Sequence, residues 1–228
     1  MEENLESIQN NKLYKKHFDL VKKANKITNI TSIKEWDKAK ILHVEDSLLP
    51  IHYILCFLKN NEINNIADLG SGAGYPGIPI SIYLNSYNYN FDISLIESNQ
   101  KKSNLLKNFI YQLKLKNTYV FNSRIENINK KFDIVVSRAL SSISSILELS
   151  SPIIKIGGIC ICYKSDNIKE EIKEADKILN LLGFELLSNN LMSLSNSNKR
   201  RILIYKKQSE AKIKLPRKLG LAQKRPLK

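Results

Sequence analysis

Ile66-Ala67-Asp68-Leu69-Gly70-Ser71-Gly72-Ala73-Gly74-Tyr75-Pro76-Gly77-Ile78-Pro79 is the stretch around which the chain is organised. It begins apolar, turns glycine-rich and then enters a run compatible with a helix. This pattern predicts a buried strand, a tight turn and a helix start, the geometry with which α/β proteins hold nucleotide-type ligands. Gly70, Gly72 and Gly74 place no side chain where a ligand approaches the backbone, and they tolerate positive φ in the turn. Pro76 suits the first turn of the following helix, where its missing N–H is no loss.

Downstream, strand-like and helix-like hydrophobic patterns alternate. Strands are expected at 65–69, 92–97, 118–122, 132–137, 157–163, 184–187 and 201–205. Helices are expected after Pro76, at 101–115, at 142–149 behind a serine cap, and at 168–182 ending at Gly183. Seven strands with helices between them imply an α/β fold with a doubly wound, mostly parallel, Rossmann-like sheet. The Ser/Asn-rich run 188–198 reads as a loop, part of a hairpin. Upstream, helices at 10–26, 35–42 and 48–60 form an N-terminal helical extension, with His43-Val44-Glu45-Asp46-Ser47 between the last two. The expected organisation is an extension over 1–62 packed on the core, a Rossmann-like domain over 63–207 and a basic tail over 208–228.

The 228 residues carry a net charge of +14, and its distribution matters more than its size. Residues 206–228 hold nine Lys/Arg against Glu210, and residues 12–26 hold six Lys against Asp19. The remainder is close to neutral. Basic ends on a neutral body point to a polyanionic partner, nucleic acid above all. The general richness in Lys, Asn and Ile does not by itself concentrate charge at the ends. No apolar run reaches the ~18 residues of a membrane span. Met1-Glu2-Glu3-Asn4 lacks the basic start of a secretory signal. Cys56, Cys160 and Cys162 form no paired ligand motif, so core packing, no metal and a reducing cytoplasm are expected.

The glycine stretch parses in two ways. Gly72-x-Gly74-x-x-Gly77 fits the dinucleotide fingerprint. Asp68-x-Gly70-x-Gly72-x-Gly74 fits the acidic-plus-glycine loop of S-adenosylmethionine (SAM) methyltransferases. Charge favours the second. A pyrophosphate wants N–H dipoles with no anion beside them, and Asp68, expected at the mouth of the loop, repels it. SAM carries a sulfonium and an ammonium that welcome an acid. In a doubly wound sheet, ligands sit at the C-terminal ends of the strands. Strand two delivers Glu97 there, an acceptor suited to ribose hydroxyls. Strand three delivers Ser123-Arg124-Ile125-Glu126, suited to an adenine edge. Strand four ends in Arg138, a cation after Ile134-Val135-Val136 that needs a polar or anionic partner. Strand five delivers Lys164. The plain alternative is an ordinary strand–helix turn.

With these residues in view, the chain resembles the small-subunit ribosomal RNA methyltransferase G family, also called glucose-inhibited division protein B. The matching blocks are Asn29-Ile30-Thr31-Ser32-Ile33, His43-x-x-Asp46-Ser47-Leu48, the run from Asp68 to Pro79, Ser123-Arg124-Ile125-Glu126 and Phe132-Asp133-x-x-x-Ser137-Arg138-Ala139. The tail Pro216-Arg217-Lys218-x-Gly220-x-x-x-Lys224-x-Pro226-Leu227 matches as well. The resemblance implies a class I SAM methyltransferase acting on N7 of a guanine in bacterial small-subunit (16S) rRNA. It implies SAM contacts at Gly70, Tyr75, Ile125, Glu126 and Arg138. The glycine loop adds Gly72 and Gly74, and strand two adds Glu97. The chain departs from the family pattern at Ala24, where a tryptophan is common, at Lys164-Ser165, where the pattern has a lysine-glycine pair, and at Ala222-Gln223, where the family often has a proline.

Guanine N7 has an in-plane lone pair and no proton, so its methylation needs no general base. The sequence accordingly offers no nucleophile–base–acid set, with His17, His43 and His52 scattered on expected helices. Proximity and alignment then carry the rate, worth up to ~7–11 kcal/mol. Arg138 is the candidate positioner of cofactor or base, and His43 and Asp46 either border the site or cap a helix. The tail residues Arg217, Lys218 and Lys224 are expected to bind rRNA phosphates, in a segment that orders on RNA. A monomer is expected. The rival readings are an NAD-dependent oxidoreductase, a methyltransferase of a protein or metabolite, and a non-catalytic ribosome-assembly factor.

Overall fold

The strands form where apolar runs were expected: β1 (Asn64–Leu69), β2 (Phe91–Ile96), β3 (Thr118–Phe121), β4 (Phe132–Arg138), β5 (Ile154–Lys164), β6 (Phe184–Ser193) and β7 (Lys199–Lys207). They join in one seven-stranded sheet of order β3-β2-β1-β4-β5-β7-β6. The first five are parallel, and β7 runs antiparallel to both β5 and β6. The order reverses between β1 and β4, which opens a crevice at their carboxyl ends. The computed structural model describes residues 12–58 and 64–228. The expected helix start at 10–11, the expected helix end at 59–60 and the N-terminal tetrapeptide lie outside these residues.

The period of two along each strand builds two cores. Ile66, Ile93, Ile134, Val136, Ile159 and Ile161 face one, and Ala67, Leu69, Ile96, Val135, Cys160 and Cys162 face the other. The first core is roofed by α1 (Lys12–Ala24), α2 (Trp36–Ala39), α3 (Asp46–Leu48), α4 (Ile51–Phe57), α5 (Gly77–Ser86) and α6 (Gln100–Leu113). The second is covered by α7 (Ile143–Ser150), α8 (Lys169–Asp176), α9 (Leu179–Leu182) and the C-terminal segment with α10 (Leu221–Lys224). Ser142 caps α7, its Oγ accepting from the Ser145 N–H at 3.3 Å, as the sequence implied. Cys160 and Cys162 are core residues with Sγ atoms 4.0 Å apart.

Three expectations are corrected. Residues 43–47 do not separate two helices. A π-helical turn, Lys40–Glu45, joins α2 directly to α3. Val44 and Leu48 carry the apolar stripe on into the first core, while polar neighbours find partners across the fold. Such π turns cluster at functional sites. The run 188–198 is not a loop throughout. β6 continues to Ser193 and only residues 194–198 turn, closed by the Leu194 N–H to Asn198 O bond at 2.8 Å. Its Ser/Asn composition suits an edge strand whose alternate residues face solvent.

The tail, third, does not wait for RNA to order. Glu148 on α7 is buried and needs a counter-charge. Arg217 supplies it as a fork, with Nε and Nη2 donating to the two carboxylate oxygens at 2.5 and 2.6 Å. The same Arg217 Nη2 donates to Arg225 O at 2.8 Å. Ser145 Oγ donates to Ala222 O at 2.7 Å, and Ala222 is buried. Replacing Arg217 by Ala leaves a carboxylate unpaired in the core, so Arg217→Ala should lower the unfolding free energy by about 3 kcal/mol. Denaturant titration checks this, and a loss under ~1 kcal/mol, the range of exposed pairs, means the tail is not docked in solution.

Candidate active site

β1 runs into Gly70, Gly72 and Gly74, all with positive φ (73°, 57° and 92°). A Cβ on Gly72 meets nothing nearer than Gly70 O at 3.8 Å, so this glycine faces open space. Asp68 is not at the mouth of the loop. It is fully buried beneath it, and its Oδ2 accepts from the Gly77 N–H at 3.0 Å, fixing the start of α5. Burial pushes its carboxyl up to about 6, against the pull of Ser71 and Gly77. The acid that faces the crevice is Glu97 instead. Pro76 stands one residue before α5, as its N-cap, after a cis peptide bond.

A cleft of about 250 Å³ lies at the switch point. Gly70, Gly72, Glu97, Ile125 and Glu126 all line it, together with Ser123 and Arg124. Glu97 Oε2 accepts from Gly72 N–H at 3.1 Å and Oε1 from Asn99 N–H at 2.8 Å. Each oxygen keeps a free lone pair, the paired acceptor that a ribose diol requires. Ile96, Ile125, Leu140 and Leu149 supply apolar walls for a flat base. A side chain on Gly72 would fill this cradle. The residues therefore fit SAM.

A second cavity, about 440 Å³, adjoins the first through Ala139, which lines both. Its wall includes Leu42, His43, Asp46, Arg138, Tyr163, Lys164 and Arg200. Arg138, one of the SAM contacts that the resemblance implies, lines this second cavity. Arg138 Nη1 donates to Asp46 Oδ2 at 2.9 Å and to Leu42 O at 3.3 Å. Arg200 Nε donates to Asp46 Oδ1 at 3.0 Å. Tyr163 donates its hydroxyl to Ser47 O at 2.7 Å. Lys164 Nζ reaches Ser141 O and Glu171, each at 2.5 Å.

Gly74 and Tyr75 line neither cavity. A Cβ on Gly74 would stand 2.5 Å from Ile78 Cδ1. Tyr75 is buried behind the loop, with its ring stacked on His43 (4.2 Å, 16°) and 4.6 Å from His17. His17 Nε2 pairs with Ala73 O at 2.9 Å. His43 Nε2 pairs with Thr31 Oγ1 at 2.9 Å. Asn25 holds that segment, its Oδ1 accepting from the N–H groups of Ile30 and Thr31 at 2.7 and 3.0 Å. Burial lowers His17 to about 3, and burial with the nearby Arg138 lowers His43 to about 4, so both rings are neutral at pH 7. The sequence carried no signal pairing His17 on α1 with His43 on the π turn. Arg200 carried no signal beyond its place at the start of β7. Of the expected RNA contacts, Lys218 and Lys224 are exposed, whereas Arg217 is committed to Glu148.

Comparison with known proteins adds an independent finding. The profile of the family described as rRNA small subunit methyltransferase G matches residues 9–209. Ribosomal RNA small subunit methyltransferase G of Streptococcus gordonii is 32% identical over 220 residues, covering 94% of this chain and 90% of that protein. The same-named protein of Streptococcus pneumoniae is 32% identical over 227 residues, covering 97% and 93%. Among solved structures, a putative class I S-adenosylmethionine-dependent methyltransferase from Listeria monocytogenes superimposes with a TM-score of 0.59 at 14% identity, covering 87% of this chain and 70% of that one. A ribosomal protein L11 methylase from Lactobacillus delbrueckii gives 0.56 at 12% identity, covering 74% and 79%. These structural likenesses speak for the fold.

The buried groups set a pH dependence whose signs oppose one another. The folded-state values of His17 and His43 lie below the ordinary 6.5, so their stability contribution is present above pH 6.5 and is lost as pH falls. The Asp68 value lies above the ordinary 3.8, so its contribution grows as pH falls from about 6 towards 4. Asp68→Asn keeps an acceptor for Gly77 and removes that compensation. Its unfolding free energy should fall more steeply than that of the unaltered protein between pH 6 and 4, by up to ~1.4 kcal/mol per pH unit. Parallel slopes in the two denaturation series would show that Asp68 titrates normally.

Proposed function

The chain belongs to the rRNA small subunit methyltransferase G family, SAM-dependent enzymes that methylate N7 of a guanine in 16S rRNA, and we propose that this chain does so with SAM in the Glu97 cleft and the guanine in the Arg138 cavity. The observation that carries this division is that the two spaces meet at Ala139. When bound, SAM supplies a methyl group on a sulfonium, and the N7 lone pair takes it without a base.

The residues then have distinct tasks. Glu97 holds the ribose hydroxyls, and Ile125 with Glu126 lies against the adenine. Gly70 and Gly72 leave room for the chain that bears the methyl. Tyr75 and Gly74 keep the loop in place from behind. In the second cavity Arg138 and Arg200 offer N–H donors to guanine O6, a contact that must leave the N7 lone pair free. Methylation at N7 makes the guanine cationic. Neutral His43 adds no further positive charge beside Arg138, and the Asp46 carboxylate stands close to both arginines. Lys218 and Lys224, with the lysines of α1, contact rRNA phosphates and orient the substrate without reading sequence. The protein works as a monomer in the cytoplasm. Among the described residues, no helix is long and apolar enough to cross a membrane.

The modification state of the rRNA tests the reaction, and Arg138 tests the division of the site. Small-subunit rRNA from cells lacking the protein should miss one N7-methylguanine, restored by purified protein and SAM. Arg138→Ala should lower methyl transfer by about 100-fold, the scale of a misplaced substrate, while SAM affinity measured by calorimetry changes less than threefold. A variant that instead loses SAM binding puts Arg138 in the cofactor site. Unchanged rRNA in the deleted cells refutes the activity.

A further inference from the structure

The C-terminal segment does more than cover the second core. Gln223 lines the cofactor cleft beside Ile125, Leu140 and Leu149. It is brought there by three fastenings. Arg217 is forked onto Glu148 of α7. The Gly220 N–H donates to Glu126 Oε1 at 2.6 Å, which ties the tail to the turn Ile125–Asn127. Ser145 Oγ holds Ala222 O, one residue before Gln223. The tail is thereby tied to both the turn after β3 and α7, which wall the cleft.

We propose that residues 216–225 form a strap that completes the adenine end of the cofactor site, with the Gln223 amide reading the adenine edge. This inference rests on the cofactor reading above. Adenine presents an N6 amino donor beside ring-nitrogen acceptors, and a primary amide carries one acceptor and two donors in the matching arrangement. The strap gives Arg217 and Gly220 a positioning role. They act on the cofactor through Gln223 and Glu126, not on RNA.

Gln223 is exposed, so its replacement leaves the fold unperturbed. The probe is S-adenosylhomocysteine, the demethylated product, bound in a calorimeter to the full chain. Gln223→Ala should weaken it roughly tenfold with no change in thermal unfolding of the free protein. The unaltered protein should also prefer S-adenosylhomocysteine over the inosine analogue, whose N6 amino group is replaced by a carbonyl, and Gln223→Ala should lose that preference. A truncation of residues 214–228 should weaken binding at least as much. Equal affinity in the unaltered protein and Gln223→Ala overturns the strap, as does a preference for adenine that survives the substitution. If the unaltered protein itself does not bind S-adenosylhomocysteine, the cofactor reading falls instead.

Discussion

The buried carboxylate of Asp46 is the joint on which the site depends. It sits on the N-terminal helices, yet both its oxygens are committed elsewhere, to Arg138 at the end of β4 and to Arg200 at the start of β7. An unpaired carboxylate at this depth is strongly unfavourable, so the two arginines and the helix are held in one relation. Tyr163 on β5 adds a hydroxyl bond to Ser47, and Glu45 accepts from Ser195 of the β6–β7 hairpin through both backbone and side chain, at 2.7 Å each. The π turn lets His43, Glu45 and Asp46 reach these partners while Val44 and Leu48 stay in the core. The second cavity is the space these constraints leave open.

The glycine loop is supported from below and behind in the same manner. Asp68 holds the start of α5, His17 holds Ala73, and Tyr75 wedges between His17 and His43. The cofactor cleft and the second cavity therefore share their rigid parts: His43 supports the loop through Tyr75 and walls the second cavity directly. Arg138 lies 5.5 Å from the Tyr75 ring and belongs to the same cluster. A methyl transfer that relies on alignment alone needs this kind of coupling, because a shift of about 1 Å is enough to lose much of the rate.

Most of the sheet was legible because parallel strands buried on both faces read as apolar runs. The glycine loop was legible for a similar reason, as few sequences place so many small residues after a strand. Asp68 was misread because sequence adjacency does not say which way a side chain turns at a strand end. Its carboxylate turned inward to an orphan helix N–H, and Glu97 took the outward place. Arg138 was correctly expected to have a partner, but the partner lay 92 positions away in a segment read as a break between helices. The tail was taken for a charged RNA arm from its composition. Composition is blind to Glu148, a buried acid inside an apolar helix, whose need for a counter-ion draws Arg217 inward. The edge strand β6 was hidden because its solvent face is built from Ser and Asn.

The proposed division of the site puts the cofactor in the Glu97 cleft and the guanine in the Arg138 cavity, with the methyl crossing between them at Ala139. A crystal structure of the protein with S-adenosylhomocysteine and 7-methylguanosine monophosphate tests this most directly. The purine should lie in the cavity walled by His43, Arg138 and Arg200, its N7-methyl directed past Ala139 at the cofactor sulfur. A purine bound elsewhere, or a cofactor whose sulfur faces away from Ala139, would contradict it.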